Sequence, residues 1–501
     1  MSGIPCQYRL TTRKRGRKPL RGALPTSADG DANRTDIALA ETESPLLATS
    51  PSPAPSQSFS TACPSPGPSP HSTTSPQPTR IQPRSQLNSH VQALHDQLIS
   101  TLVASVPHLD GGPNTIINDC IDIAVQTVFP IGPIFHEQSL RSSLPLKAPL
   151  LGSDSPTQVS STSAYELHVT DPDDVAKLRS YASLTALCAA VSFLPQAKTI
   201  ANNVLIGQSF LRASRAALEL YHDFDVSYPN SSSLIIRTWH ASALHTDGKT
   251  TLAWHAFNQI MGFIEQMQLF DELSYQGLEP LEARLRRSSF WQVYILDRYA
   301  ALVEGKPMRM HQFSLAKPIT TRVRTEVEPP LLMESLGDAL ASHEDQLMAG
   351  FYLIQQLWAT ASEVSLDLQV VSRLCNHTSG VGVTEEATRQ NLAATYLRFI
   401  GVLDTLPRHL DCLDPISSSG HPPVGSSQQM FWLQKAHLLV TYHCLRIIFL
   451  QRFADLGLAQ ILGYGSDAIA LASRKMEVAH DFITVITTVP FDCLLANGES
   501  C

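Results

Sequence analysis

The chain is poor in several things that usually announce a chemistry. Its nine cysteines (Cys6, Cys63, Cys120, Cys188, Cys375, Cys412, Cys444, Cys493 and Cys501) are scattered over 501 residues and include no CxxC pair. That excludes a zinc site built from cysteines alone, and the odd count with wide spacing excludes a disulfide framework. No Gly-rich phosphate loop, GxSxG elbow or HExxH pair is present, so phosphoryl transfer, serine hydrolysis and zinc proteolysis lack their usual signatures. The N-terminus has no apolar stretch of signal-peptide form. The most apolar late segment, "HLLVTYHCLRIIFLQRF", is broken by His443, Arg446 and Arg452 and falls short of the roughly 18 uninterrupted residues of a membrane span. These absences point to a soluble intracellular protein without a membrane partner. Charged residues are few, 16% against 43% hydrophobic, and the net charge is −8. The composition therefore allows a large core and gives no whole-chain attraction to polyanions.

The charge that is present is unevenly placed. The opening stretch "GIPCQYRLTTRKRGRKPLRG" holds Arg9, Arg13, Lys14, Arg15, Arg17, Lys18 and Arg21 with no acidic residue between them. Such a cluster makes salt-sensitive phosphate contacts and also fits a nuclear import signal. Residues 23–85 are a different material. "SPSPAPSQSF" and "CPSPGPSPHSTTSPQPTRIQPRS" contain almost no large apolar residues, so they cannot bury enough surface to offset ordering entropy. This segment reads as a disordered Ser/Pro-rich linker.

From residue 86 onward the pattern is helical. Leu87, Val91, Leu94, Leu98 and Leu102 recur at helical spacing; a short pairing seam for a homodimer is one account, and the first helix of a globular body is preferred. Helical periodicity continues over 114–127, 173–193, 199–222, 231–246, 248–268, 281–304, 336–368, 383–405, 427–455 and 465–487. No alternating strand pattern and no fixed-period repeat interrupts it. The expected fold class is all-α: a multi-helix domain over 86–501. Ser/Gly-rich stretches at 152–162 and in "PISSSGHPPVGSSQQ" read as surface loops.

Candidate chemistry is sparse. Asp171, Asp173 and Asp174 in "DPDDVAKL" could form an acidic metal triad, but with Pro172 they read more simply as a helix N-terminus. His240, His245 and His255 lack metal-ligand spacing and read as core or surface residues. No catalytic residue is assigned, and no enzyme is expected. The dense segment is 261–307, where Glu282 and Arg286 have the i,i+4 spacing that favours an ion pair. Phe290, Trp291, Tyr294 and Asp297 follow on the same helix.

The stretch "SYQGLEPLEARLRRSSFWQVYILDRYAALVEGKP" resembles the central signature of the fungal-specific transcription factor domain, the middle homology region of fungal zinc-cluster regulators. Glu282, Arg286, Arg287, Phe290, Trp291, Tyr294, Asp297 and Pro307 occupy its positions. "VFPIGPIFHEQSL" (128–140) and "SLTALCAAV" are similar to earlier elements in the same order. In that family a six-cysteine module binds two zinc ions ahead of a basic run, and "CQYRLTTRKRGRKPL" resembles its ending. The resemblance implies Cys6 as a metal ligand, residues 1–22 as the remnant of a zinc-cluster module lacking five cysteines, and zinc as cofactor of the intact module rather than of this chain. It further implies a nuclear regulator that contacts DNA and transcriptional co-regulators and controls a fungal gene set. A secondary-metabolite cluster or a carbon-source pathway is the expected target. The alternative is a DNA-binding-deficient helical co-regulator or repressor acting by protein–protein interaction.

Overall fold

A computed structural model describes residues 84–105, 112–149, 171–311, 339–377, 382–411, 427–462 and 468–497, with 169, 413 and parts of 315–333. All of them belong to the unit Pro78–Cys501. Residues 1–83, which hold Cys6 and the seven basic residues, lie outside the described residues, as does the loop 152–162.

Among the described residues there are fifteen α-helices and no strand: α1 (Arg84–Ser105), α2 (Pro113–Ile123), α3 (Glu137–Ser142), α4 (Pro172–Ser192), α5 (Asn203–Leu220), α6 (His222–Ser227), α7 (Ser231–Thr246), α8 (Thr250–Gln266), α9 (Pro280–Leu302), α10 (Ala339–His377), α11 (Gly382–Ile400), α12 (Arg408–Asp411), α13 (Ser427–Asp455), α14 (Ala468–Thr488) and α15 (Phe491–Ala496). The fold is all-α. The end of the loop "PISSSGHPPVGSSQQ" is already helical, because Ser427, Gln428 and Gln429 open α13.

Local chemistry accounts for where the helices start. Asp171 is the N-cap of α4: its carboxylate accepts from the amides of Asp173 and Asp174 at 2.9 and 3.5 Å, and Pro172 takes the first position, where no amide hydrogen is needed. The aspartate cluster is thus a cap. Asn230 and Ser233 form a reciprocal capping box at the start of α7. Glu279 caps α9 by accepting from the amide of Glu282 at 3.0 Å, again with a proline in the first turn.

The buried side chains gather in three clusters. One joins α1, α2, α4, α5 and α7, around residues such as Leu98, Cys188, Phe210 and Ile236. A second joins α8, α9, α10, α11 and α13, around Ile260, Phe290, Phe351, Phe399 and Phe449. A small third lies among Trp432, Val440, Val485, Val489 and Cys493, where α13, α14 and α15 meet. Each fully buried Leu, Ile or Phe stabilises by about 1.5–3 kcal/mol relative to exposure. Val91, Leu98 and Leu102 belong to the first cluster, so α1 is a helix of this body, with its apolar face already covered. Among the described residues, no helix is long and apolar enough to cross a membrane.

Candidate functional site

Helix α9 packs against α7 and α10, and its charged residues fasten it to its neighbours. The Glu282 carboxylate accepts from Arg286 Nε at 2.6 Å, so the expected i,i+4 pair forms. It also accepts from the Ser231 amide at 2.8 Å and the Ser231 hydroxyl at 2.5 Å, which fixes the first turn of α7 against α9. Arg287 pairs with Glu272 at 2.6 Å and lies over the Tyr275 ring. Arg284 pairs with Glu344 at the start of α10, and Glu344 accepts in addition from the amides of Leu331 and Leu332. Asp297 accepts from the amides of Arg309 and Met310, while Arg298 donates to Asp297 and to the Met310 carbonyl. These groups hold the turn at 309–310 and residues 331–332 against the helix. Trp291 is buried, edge-on to Phe290 and Tyr294, and its indole donates to the Arg322 carbonyl at 3.1 Å. The signature residues are therefore structural fasteners.

A second fastener lies at α7. Asp225 is fully buried and accepts from Arg179 at 3.0 Å, Arg237 at 2.7 Å and Ser233 at 2.6 Å. It ties α4, α6 and α7 together, and two cations face one carboxylate.

The face of α9 that carries Gln292, Ile295, Leu296 and Tyr299 meets something different. Here the first and second buried clusters adjoin without filling the space, leaving a cavity of about 290 Å³. Its walls come from the loop after α2 (Ile131, Gly132, Ile134), from α4 (Ala190, Val191), from α7 (Trp239, Ala241) and from α8 (Trp254, Phe257). Helix α10 adds Ile354 and Trp358, and the far end is closed by His437 of α13 with Ala496 and Asn497. Ser242 and Thr246, both exposed, mark the edge where the cavity reaches solvent. The turn after α9 adjoins that edge: Lys306 lies 5.3 Å from the Trp254 ring, and Glu304 is 3.9 Å from His245. Gly305 sits in this turn at φ 66°, a left-handed conformation that suits glycine.

Apart from the two histidines, the lining is neutral. His437 donates from Nδ1 to Asn497 Oδ1 at 3.0 Å, and burial pushes its imidazole down to about 4, so it is uncharged at neutral pH. Near the cavity, His240 lies behind the α7 wall. The Ser214 hydroxyl donates its proton to the Ala182 carbonyl at 2.7 Å, so at 2.8 Å it can only accept from His240 Nε2.

The structure thus separates the three histidines of the 239–257 stretch. His240 is buried on Ser214, His245 stands at the cavity edge, and His255 is exposed. No group of three or more potential metal ligands exists among the described residues. Asp171, Asp173 and Asp174 do not line the cavity.

The model of the fungal specific transcription factor domain matches residues 125–325. Residues 125–325 are a fungal specific transcription factor domain. No curated protein and no solved structure matches the chain. The matched span includes the α9 fasteners, Asp225 and the cavity walls from Thr127 to Tyr299; Ile354, Trp358, His437 and Asn497 close the cavity from beyond it. The chain is accordingly a regulator of transcription. Cys6 and Cys63, like the seven basic residues, lie outside the described residues.

Proposed function

We propose that the chain is a nuclear, effector-controlled regulator of a fungal gene set, in which the cavity beside α9 is the sensing site. The observation that carries the reading is the coincidence of the transcription factor domain with a preformed, largely apolar cavity walled by its own helices. Cavities of this size and character are the common form of small-molecule sites. An apolar lining suits an apolar effector and leaves the hydroxyls of a sugar without partners, which supports a secondary-metabolite cluster over a carbon-source pathway as the target. Arg9, Arg13, Lys14, Arg15, Arg17, Lys18 and Arg21 would supply phosphate contacts, which position a protein on DNA without reading its sequence.

Expression profiling tests this. Deleting the gene should change a confined set of transcripts, and Ala241→Phe, which fills the cavity, should change the same set. A deletion strain with unaltered transcripts would overturn the reading. In a second reading, the helical body acts as a co-regulator through a protein partner. In that case, chromatin occupancy of the chain would vanish when its partner is removed and would survive neutralisation of the seven basic residues.

A further inference from the structure

Helix α14 carries two apolar faces, and the body covers one of them. Val485, with Val489 just past the helix end, is buried among Trp432, Ala436 and Val440 of α13, and Val478 is buried as well. The other face is open. Ile469 (77% exposed), Met476 (71%), Ile483 (58%) and Ile486 (45%) recur along it, with Ala472 exposed and Ala479 half-buried between them. Positions 469, 476 and 483 are the a sites of a heptad and 472, 479 and 486 its d sites, so an unbroken pairing seam spans 469–486. At 3.6 residues per turn, the seam lies about 130° round the helix from the covered valines. The seam at α1 is different, because Val91, Leu98 and Leu102 are spent inside the body.

Area and shape select the occupant. The strip leaves on the order of 500 Å² of apolar surface open, the size at which the largest apolar patch of a monomer is often functional. A standard interface takes about 800 Å² from each partner, roughly 57% of it apolar, which is close to what this strip supplies. Two copies of α14 laid antiparallel, with a twofold axis between Glu477 and Val478, set Ile469 against Ile486 of the second copy. Ala472 then meets Ile483, and Met476 meets Ala479. Large faces small in the inner layers, so the surface complements itself when reversed, as an isologous contact requires. A parallel pair would stack Ala472 on Ala472 and Ala479 on Ala479 and leave those layers underfilled.

The edges of the seam agree with this. Ser473, His480 and Thr487 stand at the e sites, with no Asp, Glu, Lys or Arg among them, so no like charges are brought together there. Lys475, on the opposite edge, donates to Gln451 Oε1 of α13 at 3.2 Å and is turned away from the seam.

We propose that the open face of α14 is a dimerisation surface, on which a second copy of this chain docks antiparallel. The contact is independent of the effector reading above.

Sedimentation velocity of the full chain over a dilution series tests it. A reversible monomer–dimer equilibrium is expected. Ile483→Lys should abolish the dimer, and so should Ala472→Glu. Both positions are exposed in the single chain, so circular dichroism should show an unchanged helical fold; should one variant fail to fold, the other decides. Combined in one chain, the two substitutions should restore the dimer, because each new charge meets its opposite across the antiparallel contact. A monomer at every concentration would overturn the proposal and leave the face to another protein or another segment of the chain. A dimer that survives Ile483→Lys would overturn it too, since the contact would lie elsewhere. A double variant that associates no better than the single ones would exclude antiparallel pairing, and the proposal with it.

Discussion

The fasteners around Asp225 and α9 carry ionised side chains, whereas no Asp, Glu, Lys or Arg lines the cavity beside them. At Asp225 a single carboxylate receives two arginines and a serine. At Glu344 it receives a guanidinium and two amides. Across the α9 helix, Trp254 Nε1, Trp358 Nε1 and Gln292 Oε1 receive nothing. Unpartnered atoms are not confined to the cavity residues: the Nε atoms of Arg179, Arg237 and Arg284 also lack a partner, as do Ser289 Oγ and Trp432 Nε1. The paired charges hold the walls in register, and the uncharged aromatic and aliphatic lining suits a neutral occupant.

The comparison breaks first at Asp225. Asp225→Ala removes the carboxylate that pairs with both Arg237 and Arg179, and stranding a buried guanidinium costs about 3–5 kcal/mol. Urea unfolding of the variant should show a loss of that order; an unchanged midpoint would mean that the pair is not a fastener.

Acid should act next. Burial, with Arg215 and Arg237 nearby, pushes His240 down to about 3, and burial pushes His437 down to about 4. Both fold as neutral imidazoles, while in the unfolded chain they titrate near 6.5. Between those values the unfolded state binds more protons, so stability is complete above about pH 6.5 and falls as pH drops toward 4. By pH 4.5 the loss is about 2–3 kcal/mol for each histidine, at ~1.4 kcal/mol per pH unit. His240→Gln should flatten the measured slope of stability against pH over that window.

A smaller effect is expected where α10 and α13 touch. A side chain at Gly350 would meet the Gln434 amide at 1.9 Å, and that amide already donates to the carbonyls of Pro130 and Leu347. Gly350→Ala should destabilise by about 1–3 kcal/mol through overpacking, despite the better helix propensity of alanine. Gln292→Leu is the counterpart in the cavity. It removes a buried acceptor that has no partner, so urea unfolding should show a gain of about 1 kcal/mol; a loss of stability would mean that the amide is partnered.

The helices were legible where sequence and packing agree. The expected spans 231–246 and 427–455 coincide with α7 and α13, because the first has its own cap and the second is long enough for its period to show. Helices α3, α6, α12 and α15 were missed: four to six residues are too few to display a 3.6-residue repeat. Near 199–222 a single helix was expected, but Pro195–Thr199 forms a 3-10 turn and α5 starts only at Asn203, after Asn202 adopts a left-handed backbone. The cavity was not legible. Its walls run from Thr127 to Asn497, and periodicity cannot say which helix faces meet. Gln292, a lone amide inside "FWQVYIL", was the available signal. Of His240, His245 and His255, only His245 lines the cavity, while His255, next to the lining residue Trp254, is exposed.

Indole nitrogen resonances offer the most direct test, because the chain has five tryptophans and the account assigns them different fates. On titrating the 15N-labelled full chain with 2-naphthol, a neutral aromatic probe, the Nε1–H signals of Trp254 and Trp358, which line the cavity, should shift together and saturate. The Trp291 signal, whose proton is already given to the Arg322 carbonyl, should stay in place. Five unmoved indoles, or a shift confined to Trp291 or Trp432, would contradict the account.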